Sequence, residues 1–156
     1  MGGNLNERFE HVVCGKARST TQYSAVNDTT DIDEAKIVVP AKPPQNLTYR
    51  IKLAGTKTGA NAAMLVKLKL GSTTVMTLTA DDATAVDWVA EFNLMIVNSH
   101  NQKISGLFLA NTADPEVDYA AGAVDLSAGA ELVPQITSAH ASDTVTCEMC
   151  TVESGE

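Results

Sequence analysis

Three runs decide the fold: Leu47-Thr48-Tyr49-Arg50-Ile51-Lys52-Leu53, Met64-Leu65-Val66-Lys67-Leu68-Lys69-Leu70 and Val86-Asp87-Trp88-Val89-Ala90-Glu91-Phe92-Asn93-Leu94-Met95-Ile96. In each, apolar residues recur at every second position, which in an extended chain puts them on one face and the polar residues on the other. With Val75 to Leu78 between the second and third runs, the stretch from 46 to 97 reads as four consecutive β-strands. One face of each run suits a core, and Tyr49, Ile51, Val66, Leu68, Trp88, Phe92 and Ile96 are the residues predicted to anchor it. Trp88, the single tryptophan, shares its face with Phe92 and Ile96 and reads as a packing residue rather than a ligand platform.

Outward from this stretch the same signals continue. Phe9 to Cys14 is a short strand candidate, and Tyr23 to Val26 another. The segment from Gly15 to Asp33 is rich in Ser, Thr, Asn and Asp and reads as a long surface connection. Ala35 to Val39 reads as a strand stopped by Pro40, with a turn from Ala41 to Gln45. Gly55 to Gly59 reads as a link with glycines at both ends, and Gly71-Ser72 as a tight hairpin turn. Asp81-Asp82-Ala83 and Asn98 to Gln102 read as polar turns, and Ile104 to Leu109 as a strand. The region from Asn111 to Gly129 gives no clear pattern. Glu131 to Thr137 reads as an edge or bulged strand because Pro134 has no N–H for the ladder, and Asp143 to Val152 alternates clearly. No helix longer than two turns is indicated. The expectation is an all-β protein: an antiparallel, jelly-roll-like β-sandwich of about nine short strands, with residues 1–8 as an arm and 9–156 as one domain.

The chain of 156 residues is long enough for a core of its own. Its net charge of −8 is uneven: the Lys and Arg lie between Arg8 and Lys103, and beyond Lys103 the charged residues are acids. That balance opposes binding to a phosphate backbone, which needs clustered cations. No apolar run is long enough for a helical membrane span, and the polar start lacks the order of a secretory signal.

Chemistry-bearing motifs are scarce. Cys147 and Cys150 have CxxC spacing, but in a strand such residues point to opposite faces; Cys147 is expected in the core and Cys150 partly exposed. With Cys14 they are read as thiols. His11, His100 and His140 lack ligand spacing. There is no Gly-x-Ser-x-Gly elbow and no phosphate loop. Asp114-Pro115-Glu116-Val117-Asp118, with Asp125, departs from a calcium loop in having Tyr119 where the turn needs glycine. The sequence therefore predicts no catalytic residues, no metal and no cofactor, and a protein that is not an enzyme.

Several pieces together resemble small β-sandwich proteins of tailed-phage virions, above all head decoration (cement) proteins. They are Ile37-Val38-Val39-Pro40, the runs Leu47 to Gly59 and Asn61 to Gly71, the pair Asp87-Trp88 opening a long strand, and the ending Gln135 to Thr146. The resemblance spans most of Ile37 to Val152. It implies a structural virion protein, made in the host cytoplasm, that binds the major capsid protein on the capsid surface and stabilises the shell as a homotrimer, with no nucleic-acid or membrane partner. Binding only the assembled lattice would transfer binding free energy to that state. On this reading the polar arm and the long connection, with Asn4, Asn6, Arg8, Lys16 and Arg18, touch the capsid. The alternative is a fibre or receptor-binding module that recognises a host surface glycan, with exposed loops such as Asn98 to Gln102 holding it.

Overall fold

The computed structural model describes residues 10–14, 19–22, 28–60, 62–83, 86–110, 115–140 and 143–155. Two antiparallel sheets form a jelly-roll-like sandwich. The strands are β1 (Glu10–Cys14), β2 (Ser19–Gln22), β3 (Asp28–Asp31), β4 (Ile37–Val39), β5 (Leu47–Thr58), β6 (Ala62–Leu70), β7 (Thr73–Ala83), β8 (Val86–Asn98), β9 (Asn101–Ala110), β10 (Glu116–Gly122), β11 (Ala130–Ser138) and β12 (Thr144–Gly155). A seven-stranded sheet has the order β1-β12-β5-β8-β9-β10, with β2 also on β12; a five-stranded sheet has the order β3-β11-β6-β7, with β4 also on β11.

The alternation read in the sequence is what places the core. Ile51, Val66, Leu68, Phe92 and Ile96 are wholly buried, and Tyr49 and Trp88 nearly so. They pack between the sheets with Met64, Leu78, Leu94, Ile104 and Phe108. Each such side chain contributes about 1.5–3 kcal/mol by leaving water. Trp88 meets Phe108 edge-on, with ring centroids 6.4 Å apart.

Several local expectations are corrected. Gly55 lies inside β5 rather than in a turn. Its role is close approach: a Cβ there would sit 1.8 Å from the Thr146 carbonyl oxygen and 2.9 Å from Cζ2 of Trp88. The strand ends at Thr58, and Gly59 turns with φ of 129°. Gly71 does occupy a left-handed conformation, φ 60°, as its hairpin turn requires. Asp81 to Ala83 continue β7 instead of turning. Ala35 ends a short 3-10 turn, Asp33–Ala35, so the following strand begins at Ile37. The patternless region contains β10, whose register is set by β9.

Pro134 is neither at an edge nor in a bulge: β11 is flanked by β6 on one side and by β3 and β4 on the other. The proline falls between the β3 and β4 pairings, where Ile32 N–H donates to its carbonyl at 2.9 Å. A residue's N–H and C=O point to the same side of a strand, so the missing donor faces this gap and the β6 ladder loses nothing.

Cys150 is buried, not partly exposed, as is Cys147. Cys147 pairs with Gly55 but Met149 with Ala54, so Glu148 is an extra residue in a β-bulge. The bulge resets the alternation, which puts Cys147 and Cys150 on the same face and Met149 in solvent. The arm 1–8, Asn4, Asn6, Arg8, Lys16 and Arg18, and the strand candidate from Tyr23 to Val26 lie outside the described residues.

Candidate functional site

The outer face of the seven-stranded sheet carries the chemistry that the core does not use. Register places its outward side chains in rows across β12, β5, β8, β9 and β10. One row runs Glu153, Arg50, Asn93, Ser105, Tyr119, and the next runs Gly155, Thr48, Met95, Lys103, Ala121. A cleft of about 440 Å³ lies over these two rows. That volume falls within the range of small-molecule sites.

The cleft presents two hydroxyls (Thr48, Ser105), an amide (Asn93), two cations (Arg50, Lys103), a carboxylate (Glu153) and a phenol ring. Tyr119 is 64% exposed. Arg50 is held in place by its neighbours. Its Nε donates to Asn93 Oδ1 at 3.1 Å and lies 3.5 Å from Glu91 Oε1, and its Nη1 lies 3.9 Å from Glu153 Oε2. Lys52 adds to the cluster at 3.9 Å from Glu91. Such exposed pairs contribute little stability, but they orient a five-donor guanidinium beside the cleft. The Thr48 hydroxyl donates to the Gly155 carbonyl at 3.0 Å, which ties the last strand to the rim.

Beyond the cleft the same face turns apolar. Met149, Ala54, Val89 and Leu109 form one row, and Leu107 and Val117 stand beside it. Met149 is 66% exposed and Val117 73%.

The loop expected to hold a ligand is spent on itself. Asn98 Oδ1 accepts from the His100 N–H at 2.9 Å and from Asn101 Nδ2 at 3.1 Å. Gln102 is buried; its Nε2 donates to the Val124 carbonyl at 3.0 Å and its Oε1 accepts the Val124 N–H at 2.9 Å. His100 Nε2 lies 3.4 Å from Asp125 Oδ1. The Ser127 backbone N–H, then its side chain and then His100 hold the Asp125 carboxyl below its ordinary range. Of the calcium-like stretch, Asp114 lies outside the described residues, and the other acids have separate partners: Glu116 Oε2 accepts the Thr79 N–H on β7, Asp118 Oδ1 accepts the Tyr119 N–H, and Asp125 accepts from Ser127. Among the described residues no group of three metal-ligating side chains converges.

Thr48, Arg50, Asn93, Lys103, Ser105, Tyr119 and Glu153 are all missed as a site by the sequence. Each is visible as an outward position of a strand, but five strands must be set side by side before they form a surface. The core anchors, by contrast, lie beneath this face.

No protein-family model matches the sequence, and no curated protein matches it. Among solved structures, the lectin UEA-II complexed with galactose is similar at 9% identity and a TM-score of 0.43, over 95% of this chain and 92% of the other. The CBM36-1 domain of a multidomain xylanase from the hindgut metagenome of Trinervitermes trinervoides is similar at 12% identity and a TM-score of 0.38, covering 95% and 97%. The infectious bursal disease virus VP2 subviral particle gives 13% identity and a TM-score of 0.37, over 99% of this chain and 42% of that one. At such scores the likeness is one of general strand arrangement.

Proposed function

We propose that this chain is a non-catalytic binding module of a virion that recognises a host-surface glycan in the cleft over the outer face of the seven-stranded sheet. The cleft itself carries this reading. Its hydroxyl, amide and charged groups stand on adjacent strands, where a rigid ladder spaces them, and Tyr119 offers one ring face for a sugar to stack on. Sugars present alternating apolar faces and hydroxyl edges, and a row of this composition answers both. Sites built on strands are positioned more tightly than sites on loops, which suits the spent state of the Asn98 to Gln102 turn. Glycan-array screening followed by calorimetry tests it. Binding that is lost in Tyr119→Ala and Asn93→Ala supports the assignment, and an array without hits for the folded protein refutes it.

A second reading, head decoration by a homotrimer seated on the major capsid protein, is favoured by the apolar row Met149, Ala54, Val89, Leu109. Solvent-facing side chains of this kind in register across four strands suit coverage by another protein. Binding of the purified protein to expanded heads, abolished by Val89→Asp, supports it; no binding to heads counts against it.

A further inference from the structure

Away from the cleft, Lys57 and Asp143 are both wholly buried, with Lys57 Nζ 3.2 Å from Asp143 Oδ2. Lys57 stands near the end of β5 and Asp143 just before β12, the neighbouring strand. Their surroundings are ordered around a single backbone unit. The Ala60 carbonyl accepts from Lys57 Nζ at 2.8 Å, and the Ala60 N–H donates to Asp143 Oδ1 at 2.8 Å. The Ser138 hydroxyl, on β11 of the other sheet, donates to Asp143 Oδ2.

We propose that Lys57 and Asp143 condense into an internal isopeptide bond that joins β5 to β12 covalently. A primary amine and a carboxyl held in contact and wholly buried face a different balance from the same groups in solution. Fixed geometry raises the effective concentration of one for the other to about 10⁵–10⁸ M in favourable intramolecular cases. Burial also penalises the ion pair relative to uncharged products.

The step balances within the pair. The ammonium passes one proton to Oδ2, and the amine lone pair attacks Cγ. Negative charge develops on Oδ1, where the Ala60 N–H already points, as an oxyanion donor must. A second proton leaves nitrogen for Oδ2, with the Ser138 hydroxyl as the positioned relay, and the Cγ–Oδ2 bond breaks. Ammonium and carboxylate become a secondary amide and one water, with no oxidant or co-reactant. The amide N–H then inherits the Ala60 carbonyl and the amide oxygen inherits the Ala60 N–H, so both Ala60 groups keep a partner, while the Ser138 hydroxyl is released from the departing Oδ2.

Intact-mass spectrometry of the purified full chain under denaturing conditions reads the result directly. The expected mass is lower than that of the linear sequence by one water molecule. The site is mapped with trypsin. No Lys or Arg follows Lys103, so Asp143 always falls in peptide 104–156, and a condensed Lys57 resists cleavage. The expected product is peptide 53–67 joined to 104–156. Lys57→Arg keeps the charge but lacks the primary amine, and should show the full linear mass even if it folds poorly. The proposal is overturned by a wild-type mass equal to the linear sequence after prolonged incubation of the folded protein. A water loss that maps elsewhere, or one that persists in Lys57→Arg, also overturns it.

Discussion

Replacing Gly55 by alanine adds one methyl group, and the structure predicts one of the largest losses available to such a change. The new Cβ would lie 1.8 Å from the Thr146 carbonyl oxygen, 2.8 Å from its carbon and 2.9 Å from Cζ2 of Trp88. Two of these are backbone atoms of the adjoining strand, and the third belongs to a ring that is 1% exposed. None can yield alone, so β12 must move away from β5 beside the bulge, at the cost of ladder hydrogen bonds and of the contact with Trp88. Ordinary overpacking costs about 1–3 kcal/mol. With backbone displacement added, the expected loss is at least about 4 kcal/mol, out of a total stability of about 5–15 kcal/mol. Gly106→Ala is the internal comparison. Its Cβ would meet Met76 Sδ at 2.5 Å and Leu78 Cδ1 at 2.8 Å, which are ends of flexible side chains. That change should cost only about 1–3 kcal/mol. Urea unfolding followed by Trp88 fluorescence measures both, since the single tryptophan passes from a dry core to water. Equal losses for the two variants, or a Gly55→Ala loss below about 1 kcal/mol, would refute the close-approach argument.

The remaining expectations are narrower. Gln102→Ala should destabilise by about 2–4 kcal/mol in chemical denaturation, because the Val124 N–H and carbonyl both lose their buried partner. Deleting Glu148 removes the extra bulge residue and leaves Cys147, Cys150 and Val152 facing inward, so the fold should persist by circular dichroism. Inserting one residue between Thr151 and Val152 should instead turn Val152 outward and lower the melting temperature. Burial raises the Tyr49 phenol above its usual 10.0. Because the folded state then holds its proton more tightly than the unfolded chain, this contribution is unchanged below pH 10 and stability declines as pH rises beyond it. The alkaline limb of a melting-temperature profile should flatten in Tyr49→Phe. In the cleft, Tyr119→Ala should weaken glycan binding at least about tenfold, or 1.4 kcal/mol, while its exposure keeps the melting temperature unchanged.

The sequence by itself determined the sandwich and its interior. Period-two alternation is a local property, and it chose the buried faces of β5, β6 and β8 before any strand was paired, so Tyr49, Ile51, Val66, Leu68, Trp88, Phe92 and Ile96 were legible as core. Where alternation breaks, the tertiary structure decided. Cys150 is buried because an extra residue at Glu148 resets the count, and Pro134 sits in an interior strand because two short partners leave a gap opposite it. The cleft was illegible for the same reason: Glu153, Arg50, Asn93, Ser105 and Tyr119 come from five strands scattered along the chain. The Lys57–Asp143 contact likewise spans strands distant in sequence. Local periodicity tells a side chain which way to face; only strand order and register tell it what stands beside it.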